Sequence, residues 1–543
     1  MTAIQDFAVE ATRRYIQSVV FVDDEIFVAD SGKVMVPEIK LGGMNVFRKD
    51  SATISKESVA DDKEKRVPGP APFHPKQLVE SFARQRVVCA LYEPAEGFET
   101  SSDSEIFRLC ERADVVILDW DLYNEDGRNI LPLLENLVTQ SQTTVPHHVR
   151  LCAIYSTKPD LFRITGQIFD TLKKAGLDIN VLDDNKLSAG SSRIVVLGKP
   201  STGRPEKQKA LAEVPEADLA DRIILEFAKM HEGILPSLAL HGMASVRSSA
   251  KKILDKFGAD MDGAFLVHRA MIHPADDAFE QIPELLAEEA LSVMLDNAVS
   301  PELTARLSDE AIDAKNIQLP WTAKEGQAKD GEIAIDVMKS GQKAATRFRG
   351  DKQKNWVDEL HDAMGAKATA ADKRLASLYN TRTKYTVRRD LSFGTVARRK
   401  VGDSFEYLLC LMPLCDCVRL IHGESYEFPF WTLKTSNSGA VARGFVVELP
   451  AEKGHIELFA LGKPRDRFSI RKFAAGTHGT VEAVANGDIQ IFGDGEGGLE
   501  WVAQLKPSHA QRIAQDVGAS FSRIGLIEAE WLRKKTEKSG QDV

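Results

Sequence analysis

Short apolar runs that each stop at a polar residue mark the first two hundred positions. Residues 18–22 (SVVFV) stop at Asp23-Asp24-Glu25, and 114–118 (DVVIL) stop at Asp119. Residues 149–155 (VRLCAIY) stop at Ser156, and 193–197 (RIVVL) at Gly198-Lys199-Pro200. A fifth run, 86–91 (RVVCAL), has the same character. Runs of this length, rich in β-branched residues and lacking alternation, read as strands buried on both faces. Between them, residues 6–17, 75–84, 104–112, 130–139 and 161–175 carry apolar positions at helical spacing, the last closed by Gly176. Strands alternating with helices predict parallel βαβ units and a doubly wound sheet. In such a sheet all parallel strands end on one edge, where ligands bind. The rest of this region then serves as a scaffold for Asp119.

Residues 29–75, rich in Lys, Asp, Ser, Gly and Pro, read as an insertion with little core of its own. A linker follows at 201–216. Residues 219–230, 243–257, 283–297 and 355–379 have helical spacing, with a more polar stretch at 310–350. From about residue 391 the pattern changes to short strands, expected at 405–411, 418–421, 444–449, 456–460 and 489–492, with a terminal helix at 508–533. The chain thus reads as three domains: an α/β domain over 1–205 containing the 29–75 insertion, a helical domain over 217–385, and a β-rich domain, barrel-like if it closes, over 391–543.

A length of 543 residues agrees with about three domains. The formal net charge of -10 means that no chain-wide basic field favours nucleic acid. Six cysteines without framework spacing point to a reducing compartment, the cytoplasm. The first residues do not read as a signal peptide, and no apolar run of ~18 residues suggests a membrane span.

The strand ends place Asp23, Asp24, Asp119, Ser156 and Lys199 together. Crowded carboxylates repel unless a cation sits among them, and hard oxygen ligands suit Mg²⁺. A carboxylate can attack a phosphoryl group, while a hydroxyl and an ammonium stabilise its oxygens. VVFVDDE, LDWDLYNEDG, AIYST and VVLGKP, in this order, resemble the receiver (phosphoacceptor) domain of two-component response regulators over roughly residues 10–210. The resemblance implies a flavodoxin-like fold with a five-stranded parallel sheet. It implies Asp119 as phosphoacceptor, Asp23 and Asp24 as Mg²⁺ ligands with the backbone carbonyl of Asp121, and Ser156 and Lys199 as phosphoryl contacts. It implies a histidine kinase as partner; the output expected of the rest of the chain is protein binding. Three features depart from the family: the long insertion, Tyr123 where a proline is usual, and a polar stretch at 178–192 without an obvious switch aromatic.

Other groups have plainer readings. His231, His241, His268 and His273 lie in the helical region, where phosphotransfer is conceivable but ordinary histidines are the simpler account. Cys410, Cys415 and Cys417, with Asp416 and His422, lack the usual zinc spacing. The segment 492–499 (FGDGEGGL) reads as a turn, and Arg533, Lys534 and Lys535 as a solvated basic end. The leading expectation is a signalling protein switched at Asp119, conceivably within a bacterial stress or phage-defence pathway, whose only chemistry is receiver phosphoryl transfer. A docking or decoy receiver and an effector enzyme with a C-terminal active site are the alternatives. Homodimerisation is open.

Overall fold

The computed structural model describes residues 2–26, 74–143, 149–201, 203–272, 277–314, 338–339, 368–435, 444–449, 452, 454–460, 462–493 and 498–521. Nearly all of the expected insertion, much of the polar stretch 310–350, His273 and the basic end at Arg533, Lys534 and Lys535 lie outside the described residues. The chain divides into two compact units, Met1–Asn316 and Ile317–Val543.

The first unit is built on a sheet of β1 (Ser18–Val22), β2 (Val88–Tyr92), β3 (Val115–Asp119), β4 (Arg150–Ser156), β5 (Asn180–Asp183), β6 (Lys186–Ala189) and β7 (Ser192–Gly198). Its order is β2-β1-β3-β4-β7-β6-β5. The five runs read as strands are the parallel ones, in matching registers such as Val19 opposite Val115 and Ile154 opposite Val196. The sheet nevertheless has seven strands rather than five. The polar stretch before the last parallel strand forms the antiparallel hairpin β5–β6, which pairs with β7. β5 is exposed throughout, so its sequence carries no buried face to announce it. β2 starts later than its apolar run because Arg86 turns the chain with φ 61°.

Helices cover both faces, as isolated apolar sheet faces require. One face is packed by α3 (Glu105–Cys110), α4 (Ile130–Thr143) and α5 (Leu161–Lys174). The other is packed by α1 (Ala3–Tyr15), α2 (Pro75–Arg84) and α7 (Leu219–Ala228). A short α6 (Glu206–Ala212) precedes α7. α1 is tied off by a capping box, Thr2 with Gln5. α7, expected in the helical middle of the chain, instead buries Leu219, Ile223, Ile224 and Phe227 with Val115, Ile117, Tyr155 and Leu197 of the sheet. The fully buried Glu226 of α7 fastens it to the hairpin through Lys186, 3.2 Å away, and also pairs with Arg222 at 3.0 Å. The helix expected at 243–257 begins earlier, as α8 (Ile234–Leu254), and packs on α1.

The second unit is a nine-stranded antiparallel sheet. Its strands are β8 (Thr395–Val401), β9 (Ser404–Cys410), β10 (Ser425–Thr435), β11 (Gly444–Leu449), β12 (Gly454–Phe459), β13 (Phe468–Ala474), β14 (Val484–Asn486), β15 (Ile489–Phe492) and β16 (Leu499–Gln504). The order runs β11-β12-β10-β9-β8-β16-β15-β14, with β13 pairing β10, and does not return on itself among the described residues. Residues 418–421 are not a strand: Arg419 takes φ 62° after the turn Leu414–Asp416, which breaks any extended run. The terminal helix is Pro507–Phe521, and residues 522–533 of its expected span lie outside the described residues.

If α7 is part of the first core, Phe227→Ala opens a cavity against the sheet. Its expected cost is about 3–5 kcal/mol, read as a lowered urea midpoint of the first unit's transition. A wild-type midpoint would show that α7 does not support the sheet.

Candidate functional site

Parallel pairing brings four strand ends to one edge of the first sheet. β3 is buried along its whole length, so its final residue, Asp119, is carried to the edge by apolar packing rather than by its own preference for water. Asp23 follows β1, Ser156 closes β4, and Lys199 follows β7. All four are buried, and Asp24 is half-buried.

The Lys199 ammonium lies 2.7 Å from Asp23 Oδ2 and 3.3 Å from Asp119 Oδ1. Carboxylate oxygens of Asp23, Asp24 and Asp119 all come within 4.8 Å of one another. Two of these carboxylates therefore share the Lys199 ammonium, with the third close by. Burial pushes the Asp119 carboxyl up to about 7; Lys199 opposes this, and Asp23 and Asp24 add to it. Burial alone would lower the Lys199 ammonium, but the two carboxylates hold it above its ordinary value.

This donor set fits a divalent cation: hard oxygens, close together, with negative charge in excess of one lysine. Asp23, Asp24 and Asp119 would hold it. The Asp121 carbonyl already accepts the Asn124 N–H at 3.0 Å, but a carbonyl oxygen keeps a second lone pair. The Ser156 hydroxyl accepts the Lys158 N–H at 3.1 Å.

Several supporting residues carry no signal in the sequence. Arg204, buried, donates to the carbonyls of Lys199 at 2.7 Å, Ser156 at 3.1 Å and Lys158 at 3.0 Å, lacing the ends of β4 and β7 together. Its guanidinium passes so close to Gly198 that a Cβ there would lie 2.4 Å from Arg204 Cζ. Lys158 pairs with Asp121 at 2.7 Å. Gly and Arg next to Lys-Pro give no periodic pattern, so only the tertiary contacts reveal these roles.

The loop after β3 is tightly wound. Tyr123, Asn124 and Asp126 have φ of 54°, 60° and 47°, the left-handed region that side chains resist. Gly127 has φ 82° and a Cβ there would strike Trp120 at 2.2 Å, so glycine is needed on both counts. Trp120 is fully buried and donates to Asp126 Oδ1 at 3.0 Å. The Tyr123 N–H donates to Asp24 Oδ2 at 2.7 Å, and its hydroxyl to the Pro94 carbonyl. Where the receiver family usually has proline, this chain uses a backbone N–H, which proline lacks, to hold one oxygen of Asp24.

The remaining candidates do not join this cluster among the described residues. His241 is a packing residue, close to the Asn297 carbonyl at 2.8 Å and tilted against Phe7. His231 packs on Phe227, and His268 lies 3.4 Å from Gln281. Cys410 and Cys417 are buried in the second unit's core and Cys415 is exposed. Burial pushes the Cys417 thiol up to about 12, which keeps it protonated and poor as a ligand or nucleophile. Among the described residues, Asp23, Asp24 and Asp119 are the one group of three such donors that could share a metal. Residues 494–497 of the segment read as a turn, 492–499, lie outside the described residues.

The raised Asp119 carboxyl fixes the direction of pH dependence. The folded, metal-free protein holds a proton there that the unfolded chain releases near pH 4, so stability falls as pH rises from about 4 to about 7 and stays low above. Asp119→Asn removes this penalty. Calorimetry in chelator is expected to find the variant more stable than wild type by about 1–3 kcal/mol at pH 8, with the gap closing by pH 4.5. A variant less stable than wild type at pH 8 would contradict the assignment.

No helix among the described residues is long and apolar enough to cross a membrane. No curated protein and no solved structure matches the chain. The family model described as the response receiver domain matches residues 15–204, about a third of the chain and the span that holds Asp23, Asp24, Asp119, Ser156 and Lys199, and that span is a response receiver domain.

Proposed function

We propose that this chain is a response-regulator-like protein in which Asp119 accepts a phosphoryl group from a phosphohistidine of a partner kinase, with Mg²⁺ bound. The order of the five parallel strands supports a flavodoxin-like plan for this domain. The observation that carries the reading is the buried grouping of Asp23, Asp24 and Asp119 around the Lys199 ammonium at one sheet edge.

In this reading, an ionised oxygen of Asp119 attacks phosphorus. The new O–P bond forms as the N–P bond of phosphohistidine breaks, and the imidazole leaves with its electron pair. Lys199 shifts its contact from the Asp119 carboxylate to a phosphoryl oxygen. The Ser156 hydroxyl, now an acceptor from Lys158, turns to donate to another. Bound among Asp23, Asp24 and Asp119, Mg²⁺ would neutralise charge on the transferring oxygens and favour ionised Asp119. The added dianion then redirects Lys199 and Ser156 and alters docking by the rest of the chain.

The proposed organisation is a receiver domain over 1–205 whose core also takes in α7, a helical region over the rest of 217–385, divided between the two units, and a β-rich output domain over 391–543. The proposed output is protein binding, with the cytoplasm of a bacterium as the setting. A docking-only receiver is the second reading. It draws on one observation: an Asp24 oxygen already held by the Tyr123 N–H, which competes with a cation for that carboxylate.

The test is beryllofluoride with Mg²⁺, added to the full chain and to Asp119→Asn. Phosphoacceptor function predicts that beryllofluoride with Mg²⁺ stabilises wild type by several degrees, about 2 kcal/mol or more at saturation, and does not stabilise the variant beyond Mg²⁺ alone. No response in wild type, or an equal one in the variant, would leave the docking reading standing.

A further inference from the structure

The second unit carries a site that receiver chemistry does not use. A cavity of about 280 Å³ is lined by Lys384, Tyr385, Arg389, Asp488, Gln490 and Trp501, among others. Its size is near the lower end for small-molecule pockets, roughly 300–1,000 Å³.

Positive charge is concentrated beside it. Arg382, Lys384, Arg388 and Arg389 fall within eight residues of chain. Two carboxylates nearby already hold partners. Asp390 pairs with Arg388 at 3.2 Å and accepts from Thr480 at 2.9 Å. Glu500 is held by two bonds of 2.8 Å from Arg398. The exposed Asp488 is the other acid in the lining. Burial and the charges of Arg382, Arg389 and Arg388 together lower the affinity of Lys384 for its proton, with Asp390 opposing them. With Arg388 paired to Asp390 and Glu500 to Arg398, the charges of Arg382, Lys384 and Arg389 remain beside the carboxylate of Asp488. The Arg389 Nε is buried without a hydrogen-bond partner.

The same cavity offers flat apolar surface. The Arg389 guanidinium stacks over Trp501, 4.6 Å from the ring centre. Tyr385, at the cavity wall, is 77% exposed. Asp488 and Gln490 add acceptors of the kind that bind ribose hydroxyls or base amino groups.

We propose that this cavity binds a nucleotide: Lys384 and the neighbouring arginines take its phosphates, Tyr385 stacks on its base, and Asp488 and Gln490 meet its polar edge. Cation excess alone would suit any anion, and exposed aromatics alone would suit any apolar surface. Their meeting in a cavity of this size selects a ligand that is anionic at one end and planar at the other. Net negative charge over the whole chain hides the site in bulk composition.

The test is titration calorimetry of the full chain with ADP in chelator, which keeps divalent cations off the acidic edge of the receiver domain. Wild type is expected to bind with Kd between about 10 μM and 1 mM. Lys384→Glu should weaken binding at least about tenfold, and Tyr385→Ala about fivefold or more. Both positions lie outside the hydrophobic core, so wild-type melting temperatures should accompany the loss. Inorganic pyrophosphate should bind more weakly than ADP. Three results would overturn the proposal: no heat up to about 5 mM ADP, variants that bind like wild type, or pyrophosphate binding as well as ADP. An oligonucleotide that binds where ADP does not would instead mark a nucleic-acid surface and would also overturn it.

Discussion

The Lys199 ammonium, shared between Asp23 and Asp119 at a buried sheet edge, is the interaction on which the first unit depends. Without it, three crowded carboxylates would sit in an apolar scaffold with no ammonium or guanidinium paired to Asp23 or Asp119 among the described residues. Removing the ammonium would strand the carboxylates left behind, which typically costs more than the cluster contributes. The scaffold serves this arrangement in concrete ways. Parallel pairing fixes where each charge emerges, Arg204 fastens the two strand ends that present Ser156 and Lys199, and helices on both faces exclude water.

The same cluster explains why the site is costly to the fold. An Asp119 carboxyl pushed up to about 7 is only partly ionised at neutral pH. A cation bound among the three aspartates would restore its charge and relieve their repulsion in one event. Metal affinity, protonation and stability are then one linked equilibrium rather than separate properties.

Periodicity decides how much of this is legible in the sequence. Asp119 and Lys199 stand out because each ends a run of buried aliphatic residues, a boundary where an unpaired charge would be costly and so has to serve a purpose. The helices α4 and α5 are legible from their spacing in the same way. The hairpin β5–β6 is not: Asn180–Asp183 is wholly exposed and rich in turn formers, so neither burial nor alternation marks it. Arg204 and Lys158 go unmarked because their importance lies in carbonyls and carboxylates brought near by folding. The spacing of α7 announces a helix, but amphipathicity says that a face is buried and not against what. In the second unit, residues 418–421 resemble a strand because they are mostly branched or apolar, yet Arg419 in a left-handed conformation cancels that propensity.

The extra hairpin has a mechanical meaning. In a sheet that ended at β7, the strand carrying Lys199 would be an edge, free to fray along one side. Here β7 is flanked by β4 and β6, with ladders on both sides. Fraying is displaced outward to the four-residue β5, away from the chemistry. The peptide backbone beneath Lys199 behaves as a fixed bench, so any response to a new charge at Asp119 must travel through side-chain reorientation and the wound loop after β3. Amide exchange along β7 should accordingly be slow whatever the state of the site, while that of the loop carries the message.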